Sequence, residues 1–152
     1  DLIRHLRDVA ALLNAGGHYV VIAPDKRYCF DHFNNISTIA EIVQAHEEGR
    51  TIHTLKSIIE HRALTTHNDP IRHWQGDHGM VADKAGRTLQ AIAEFRAEPG
   101  RYIDVHAWYF TPDSFREAIA VLIAADLIPA FRVRVYNTVW GRNEFCAILS
   151  LP

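Results

Sequence analysis

Five consecutive residues, Pro24-Asp25-Lys26-Arg27-Tyr28, follow a predicted strand and carry side chains suited to recognition or proton transfer. Ligands of open α/β sheets bind beyond the carboxyl ends of the strands, where this segment is expected to lie. Asp25 is a candidate general base. Lys26 and Arg27 are candidates to hold an anionic group, and Tyr28 to stack on a ring. The alternative interpretation is a solvated loop with one structural ion pair.

Two stretches rich in aromatic and histidine side chains are candidates to wall one pocket. Aromatic faces with a few convergent polar groups hold small organic ligands, sugars included. His106, which lies beside Asp104 in sequence, is the better acid/base candidate among the histidines. The alternative is an aromatic core cluster. The two stretches consist of Tyr28, Phe30, Asp31, His32 and Phe33, and of His106, Trp108, Tyr109 and Phe110.

A segment without periodicity, from Thr65 to Gly79, has residue types that suit zinc but no recognised ligand spacing. We therefore predict no metal ligand, and expect its histidines to bond the backbone and hold a long loop together. A metal-dependent hydrolase built on this loop is a further alternative. The residues concerned are His67, Asp69, His73, Asp77 and His78.

An αβ unit must position the first candidate segment. Apolar residues recur at helical spacing from Leu2 to Leu13, and the glycine pair Gly16-Gly17 supplies a stop. The following run, His18 to Ala23, is β-prone without interruption and ends at Pro24. Such a run is typical of a strand buried on both faces, so we predict part of a parallel sheet covered by helices.

The middle of the chain, residues 31–100, is predicted to be a helical and loop insertion. A capping box at Thr38 starts one helix, and a second is predicted over 54–62. A third is predicted over 84–97, with Leu89 among the apolar residues of its inward face.

The last third of the chain has the clearest helix-capping signals and hydrophobic periodicity. Thr111 is a good N-cap with Pro112 at the first helical position, and the helix is predicted to end near Asp126. Alternating apolar residues over 131–136 and an apolar run over 144–149 predict a closing antiparallel hairpin.

Composition limits the class of protein. The chain has 152 residues, 48% of them hydrophobic and 22% charged, which suits one globular domain and excludes wholesale disorder. A net charge of -2 gives no positive field for a phosphate backbone, so nucleic acid is not the expected partner. No apolar run is long enough to cross a bilayer, and we expect a cytoplasmic chain. Its two cysteines lie in apolar surroundings typical of free thiols, and a disulfide between them is the alternative.

The order of these segments resembles the later half of the class I S-adenosylmethionine-dependent methyltransferases. There, a helix ending like Leu12-Leu13-Asn14-Ala15-Gly16-Gly17 leads into the fifth strand, and Asn143-Glu144-Phe145 resembles the start of the seventh. The segments Pro24-Asp25-Lys26-Arg27-Tyr28 and His106 to Phe110 resemble a bacterial subgroup found near glycan-synthesis genes. The resemblance implies an α/β, partial Rossmann-like methyltransferase fold, with residues 1–152 as one domain or the carboxy-terminal part of one.

The resemblance also implies a site. Residues 25–28 would line the binding site for a small or glycan-like acceptor, and Asp25 or His106 would remove its proton. Those expected to bind the acceptor are Lys26, Arg27, Tyr28, His32 and Trp108.

One departure from the family limits the implied activity. The family holds S-adenosylmethionine by a glycine-rich loop after the first strand and an acidic residue ending the second, and this chain has neither. We therefore expect the cofactor to bind only in a complete protein and this chain alone to be inactive. The alternative is a non-catalytic binding module, with a homodimer formed through the exposed edge of the strand at 18–23.

Overall fold

Six helices and a single three-stranded sheet make up the fold. The computed structural model describes residues 1–152. None of its helices combines the length and the apolar character needed to span a membrane. In chain order the elements are α1 (Leu2–Leu12), β1 (His18–Pro24), α2 (Ile39–Glu47), α3 (Leu55–Leu64), α4 (Pro70–Trp74), α5 (Lys84–Ala97), α6 (Pro112–Ala124), β2 (Arg132–Tyr136) and β3 (Glu144–Ser150).

The sheet has the order β1-β3-β2, and the central strand β3 runs antiparallel to both neighbours. Ala147 on β3 stands opposite Val21 on β1 and Val135 on β2. The predicted closing hairpin is confirmed. The predicted parallel pairing is wrong, because the returning strand β3 lies between the two strands that run in the same direction.

Burial of β1 also differs from the prediction. Its residues alternate between partly buried and exposed, with Val20 52% and Ile22 66% exposed. The main core packs the other face of the sheet against helices α1, α2 and α6, so only one face is covered. An unbroken apolar run thus forms a half-exposed edge strand, because no element of this chain lies over its outer face.

The predicted helix starts are formed by the expected local contacts. Thr38 and Glu41 make both bonds of the capping box of α2, and Thr111 caps α6 with Pro112 in the first turn. Gly16 follows α1 with a φ of +76°, the left-handed region that favours glycine.

A second, smaller core supports the insertion. Ile58 on α3 and Ala91 on α5 pack with Ile103 and Val105, which precede the aromatic stretch at 106–110. An ion pair joins α3 to α5, with 3.0 Å between Arg62 Nη2 and Glu94 Oε1.

Two details of the insertion were predicted wrongly. Leu89 is 68% exposed, because α5 turns Ala91 instead toward the small core. The segment predicted as an unbroken loop contains the short helix α4, which Asp69 caps by accepting hydrogen bonds from the N–H groups of Ile71 and Arg72.

Candidate functional site

The turn after β1 is organised by Asp25, whose side chain is completely buried. Its Oδ1 accepts from the backbone N–H and Nε of Arg27, at 3.1 and 2.9 Å. Its Oδ2 accepts from Arg27 Nη2 at 2.6 Å and from Thr138 Oγ1 at 2.7 Å. Both oxygens therefore have donors already, and the guanidinium of Arg27 is occupied as well.

The other residues of this turn also make contacts within the chain. Lys26 Nζ donates to the carbonyl oxygen of His32 at 2.7 Å, and burial lowers its pKa. The Tyr28 ring stacks on Trp74, with ring centres 3.7 Å apart and planes 7° from parallel. The carbon centre of the Arg27 guanidinium lies 5.1 Å from the same ring. Three of the predicted acceptor-binding side chains thus stabilise the turn itself.

A histidine–aspartate pair lies beside this turn. His106 Nδ1 is 2.5 Å from Oδ2 of Asp31, a buried carboxylate. The other oxygen of Asp31 accepts from Asn34 Nδ2 at 3.1 Å. The hydrogen bond from the His106 ring to Asp31 raises the pKa of His106, and burial opposes that effect. Asp104, its sequence neighbour, makes only a smaller coulombic contribution in the same direction.

The pair has the arrangement of an oriented general base. An ionised carboxylate only accepts hydrogen bonds, so Nδ1 of His106 carries the proton and Nε2 is left to take one. The ring is half-buried and lies against Phe30, with ring centres 4.9 Å apart, and near His61, at 5.7 Å. The structure thus brings the two aromatic and histidine-rich stretches together, through a contact between residues 75 positions apart.

Trp108 lies in a different place from the turn. It lines a polar cleft of about 540 Å³ between α2 and α3, and none of residues 25–32 lines that cleft. Lys56 pairs there with Glu41 at 2.8 Å and with Glu60 at 2.9 Å. The predicted acceptor-binding residues are therefore divided: Lys26, Arg27 and Tyr28 lie in the turn, Trp108 lies in the cleft, and His32 stacks on His78.

The loop over residues 65–79 has a role for each of its charged and histidine side chains. Asp77 binds the guanidinium of Arg72 at 2.7 Å, and the Nε2 atom of His67 donates to the carbonyl oxygen of Asp77 at 3.0 Å. Asp69 Oδ1 and Asp77 Oδ1 also accept backbone N–H groups. His67 thus bonds the backbone of the loop, as predicted for its histidines, and the two carboxylates add contacts that were not predicted.

The remaining two histidines of that loop contact His32, a residue of the first aromatic and histidine-rich stretch that was predicted to bind the acceptor. His73 is buried, and its Nδ1 lies 3.1 Å from Nδ1 of His78. The His32 ring stacks on His78, with ring centres 3.6 Å apart. Burial is the largest cause of the lowered pKa of both His73 and His78. The charges of neighbouring histidines lower these pKa values further. Sequence reasoning missed this triple contact because His32 lies far from the loop in sequence.

The residues of this chain do not by themselves fit S-adenosylmethionine. Nucleotide-type cofactors in related sheets use a glycine turn for close approach and an acidic strand end that binds ribose hydroxyls. The acidic residue at the end of β1 is Asp25, and its two oxygens are taken by Arg27 and Thr138. Any binding of that cofactor must therefore use residues other than these.

The His106–Asp31 pair suits acid/base catalysis, and the cluster of His32, His73 and His78 suits metal binding. These two groups of side chains have an arrangement that does more than stabilise the turn and the loop. Their assignment depends on geometry, because the chain matches no family model, no curated protein and no solved structure.

Proposed function

We propose that this chain forms the acceptor-side half of an S-adenosylmethionine-dependent methyltransferase, in which His106 accepts the proton of the attacking hydroxyl or amine. The observation that carries the proposal is the 2.5 Å contact between His106 Nδ1 and the buried Asp31 carboxylate. A base held in one tautomer by a buried acid is the usual arrangement for proton removal from a weak nucleophile.

His106 suits this role better than Asp25. The proton of the acceptor would move to Nε2 of His106, and the Asp31 carboxylate would stabilise the imidazolium that forms. Asp25 would have to give up donors from Arg27 and Thr138 before it could take a proton. Its burial also keeps its carboxylate away from a substrate.

The fold gives the proposal further support. Helix, strand, helical insertion, helix and antiparallel hairpin follow in the order that the methyltransferase resemblance implies. The strand that resembles the seventh, β3, pairs with both β1 and β2, which resemble the fifth and sixth.

The polar cleft favours a glycan-like acceptor. Trp108 offers an aromatic face next to the ion pairs of Lys56 with Glu41 and Glu60. Such a combination of one aromatic surface and several polar groups suits a molecule with both apolar ring faces and hydroxyls. His106 itself does not line the cleft, but its sequence neighbour Ala107 does.

The test is transfer of tritiated methyl from S-adenosylmethionine to a panel of mono- and oligosaccharides by the full-length gene product. We expect His106→Gln, which keeps an N–H donor for Asp31, to lower the rate by about 100-fold or more. The exposed His18, on the outer face of β1, provides the matched control His18→Gln, which should leave the rate unchanged.

Two results would count against the proposal. An unchanged rate in folded His106→Gln would remove His106 as the base. Absence of methyl transfer to every saccharide, by protein shown to be folded by circular dichroism, would overturn the glycan methyltransferase itself.

A second candidate function, self-assembly, is favoured by the free edge of the sheet. β1 is an edge strand, and the exposed Val20 and Ile22 lie next to Ile148 and Cys146 of β3 on the outer face. Unpaired edges with exposed apolar residues invite pairing with a second strand. We propose that two copies pair through β1.

Sedimentation equilibrium tests this pairing. We expect a dimer that Ile22→Lys weakens by at least about 10-fold, because a charge would be placed in the contact. The control is Leu12→Lys, since Leu12 is also a large apolar residue and is even more exposed than Ile22, at the end of α1. A monomer at all concentrations, or a dimer unaffected by Ile22→Lys, would contradict the pairing.

A further inference from the structure

We propose that His32, His73 and His78 bind a divalent transition-metal ion of the zinc type, which links the loop over residues 65–79 to the segment that follows β1. One ring nitrogen from each of the three lies within 4.8 Å of those of the other two. The site shares no residue with the His106–Asp31 pair, so this proposal does not depend on the proposed methyl transfer.

The hydrogen bonds of two of these rings prepare them as ligands. His32 Nδ1 is 2.8 Å from the carbonyl oxygen of Arg27, and His73 Nε2 is 3.1 Å from that of His67. A carbonyl oxygen only accepts, so these ring nitrogens carry the protons. The lone pairs then lie on Nε2 of His32 and Nδ1 of His73. Histidine ligands of metals characteristically donate their other N–H to a backbone carbonyl or carboxylate in this way.

The distances between the ring nitrogens suit one shared ion after a small rearrangement of the histidine rings. Two nitrogens bound at about 2.0–2.1 Å to a tetrahedral ion lie roughly 3.3 Å apart. The Nδ1 atoms of His73 and His78 are 3.1 Å apart, so a metal would replace the hydrogen bond between them. The stack of His32 on His78 has near-parallel planes, so His32 must rotate out of it to direct Nε2 at the same ion.

The donor set selects the kind of ion. Three imidazole nitrogens suit zinc and similar transition metals, whereas Ca²⁺ and Mg²⁺ prefer oxygen ligands. The carboxylate of Asp77, the sequence neighbour of His78, already binds Arg72 and the backbone of Gly79. Three histidines leave the fourth position of a tetrahedral ion for water or another ligand.

Calorimetric titration of the untagged, chelator-treated chain with ZnCl₂ at neutral pH tests the site. We expect one equivalent of zinc per chain. His78→Gln and His32→Gln should each weaken binding by at least about 10-fold, because each removes one ligand. His18→Gln removes an imidazole from the outer face of β1 and should leave the affinity unchanged.

Cobalt provides a second readout that separates the site from loose surface binding. Co²⁺ bound by three histidines and water should give the visible absorption of a four-coordinate ion in the wild type and in His18→Gln, and lose it in His78→Gln. Circular dichroism must show that each variant is folded. The proposal is overturned if folded His78→Gln binds zinc as tightly as the wild type, or if the wild type binds no stoichiometric zinc.

Discussion

Asp25 and Asp31 are both buried carboxylates, six positions apart, yet their surroundings give them different roles. Asp25 is bound by Arg27, whose charge is permanent, and by the Thr138 hydroxyl. Asp31 is bound by His106, whose charge changes near neutral pH, and by Asn34. The hydrogen-bond partner therefore determines whether a buried carboxylate stabilises a turn or raises the pKa of a base.

The largest expected effect on stability comes from removing Asp25. Asp25→Ala takes the counter-charge from Arg27 and leaves the buried Thr138 hydroxyl without its acceptor. We expect the free energy of unfolding in urea to fall by about 3 kcal/mol. Asp31→Ala at pH 8 should cost less, because His106 can become neutral while Arg27 cannot. Equal losses at pH 8 would contradict the distinction between the two carboxylates.

The His106–Asp31 pair should make a pH-dependent contribution to stability. The hydrogen bond with Asp31 raises the pKa of His106 above its usual 6.5 in the folded chain. The pair therefore stabilises the fold fully below about pH 6.5, and this contribution is lost as the pH rises through the folded-state pKa. His106→Gln should accordingly cost more stability at pH 5.5 than at pH 9.

Urea unfolding of the wild type and His106→Gln at both values of pH measures this difference and cancels the titration of the other histidines. Proton NMR of the His106 ring provides the direct check, because Asp31→Asn should lower its pKa. A His106 pKa that does not change in Asp31→Asn would show that the contact does not tune the base.

A smaller effect is expected at the second partner of Asp25. Thr138→Val removes the hydroxyl that donates to Asp25 Oδ2 at 2.7 Å and keeps the side-chain volume. We expect a loss of about 1–2 kcal/mol in the free energy of unfolding, since the acceptor is charged and buried. Thr138→Ser keeps the hydroxyl and serves as the control. An unchanged free energy of unfolding in Thr138→Val would show that the hydroxyl does not stabilise the buried carboxylate of Asp25.

Much of the secondary structure could be predicted because its causes are local. The capping residues Thr38 and Thr111, the stop at Gly16 and the alternation in β2 act over four residues or fewer. The short helix α4 was missed, because a five-residue helix is too short to show a periodic pattern.

Side-chain partners were harder to predict. His106 was predicted as a catalytic residue and Asp31 only as a member of a stretch that was a candidate to wall a pocket, and Asp104 lies closer in sequence to His106 than its observed partner Asp31 does. His32 was predicted as part of the first aromatic and histidine-rich stretch, and His73 and His78 as part of the loop. Nothing in either segment indicates that the three rings come together. Contacts between residues that are distant in sequence depend on how the whole chain folds.

Helices α1, α2, α3, α5 and α6, the closing hairpin and the residue types at the end of β1 follow from the sequence alone, since capping, periodicity and turn residues act between near neighbours. Three features are seen only once the chain is folded: β1 is covered on one face, Asp25 is bound by Arg27 and Thr138, and Asp31 contacts His106. Those outcomes depend on which distant segments pack together, and that packing is a property of the whole chain.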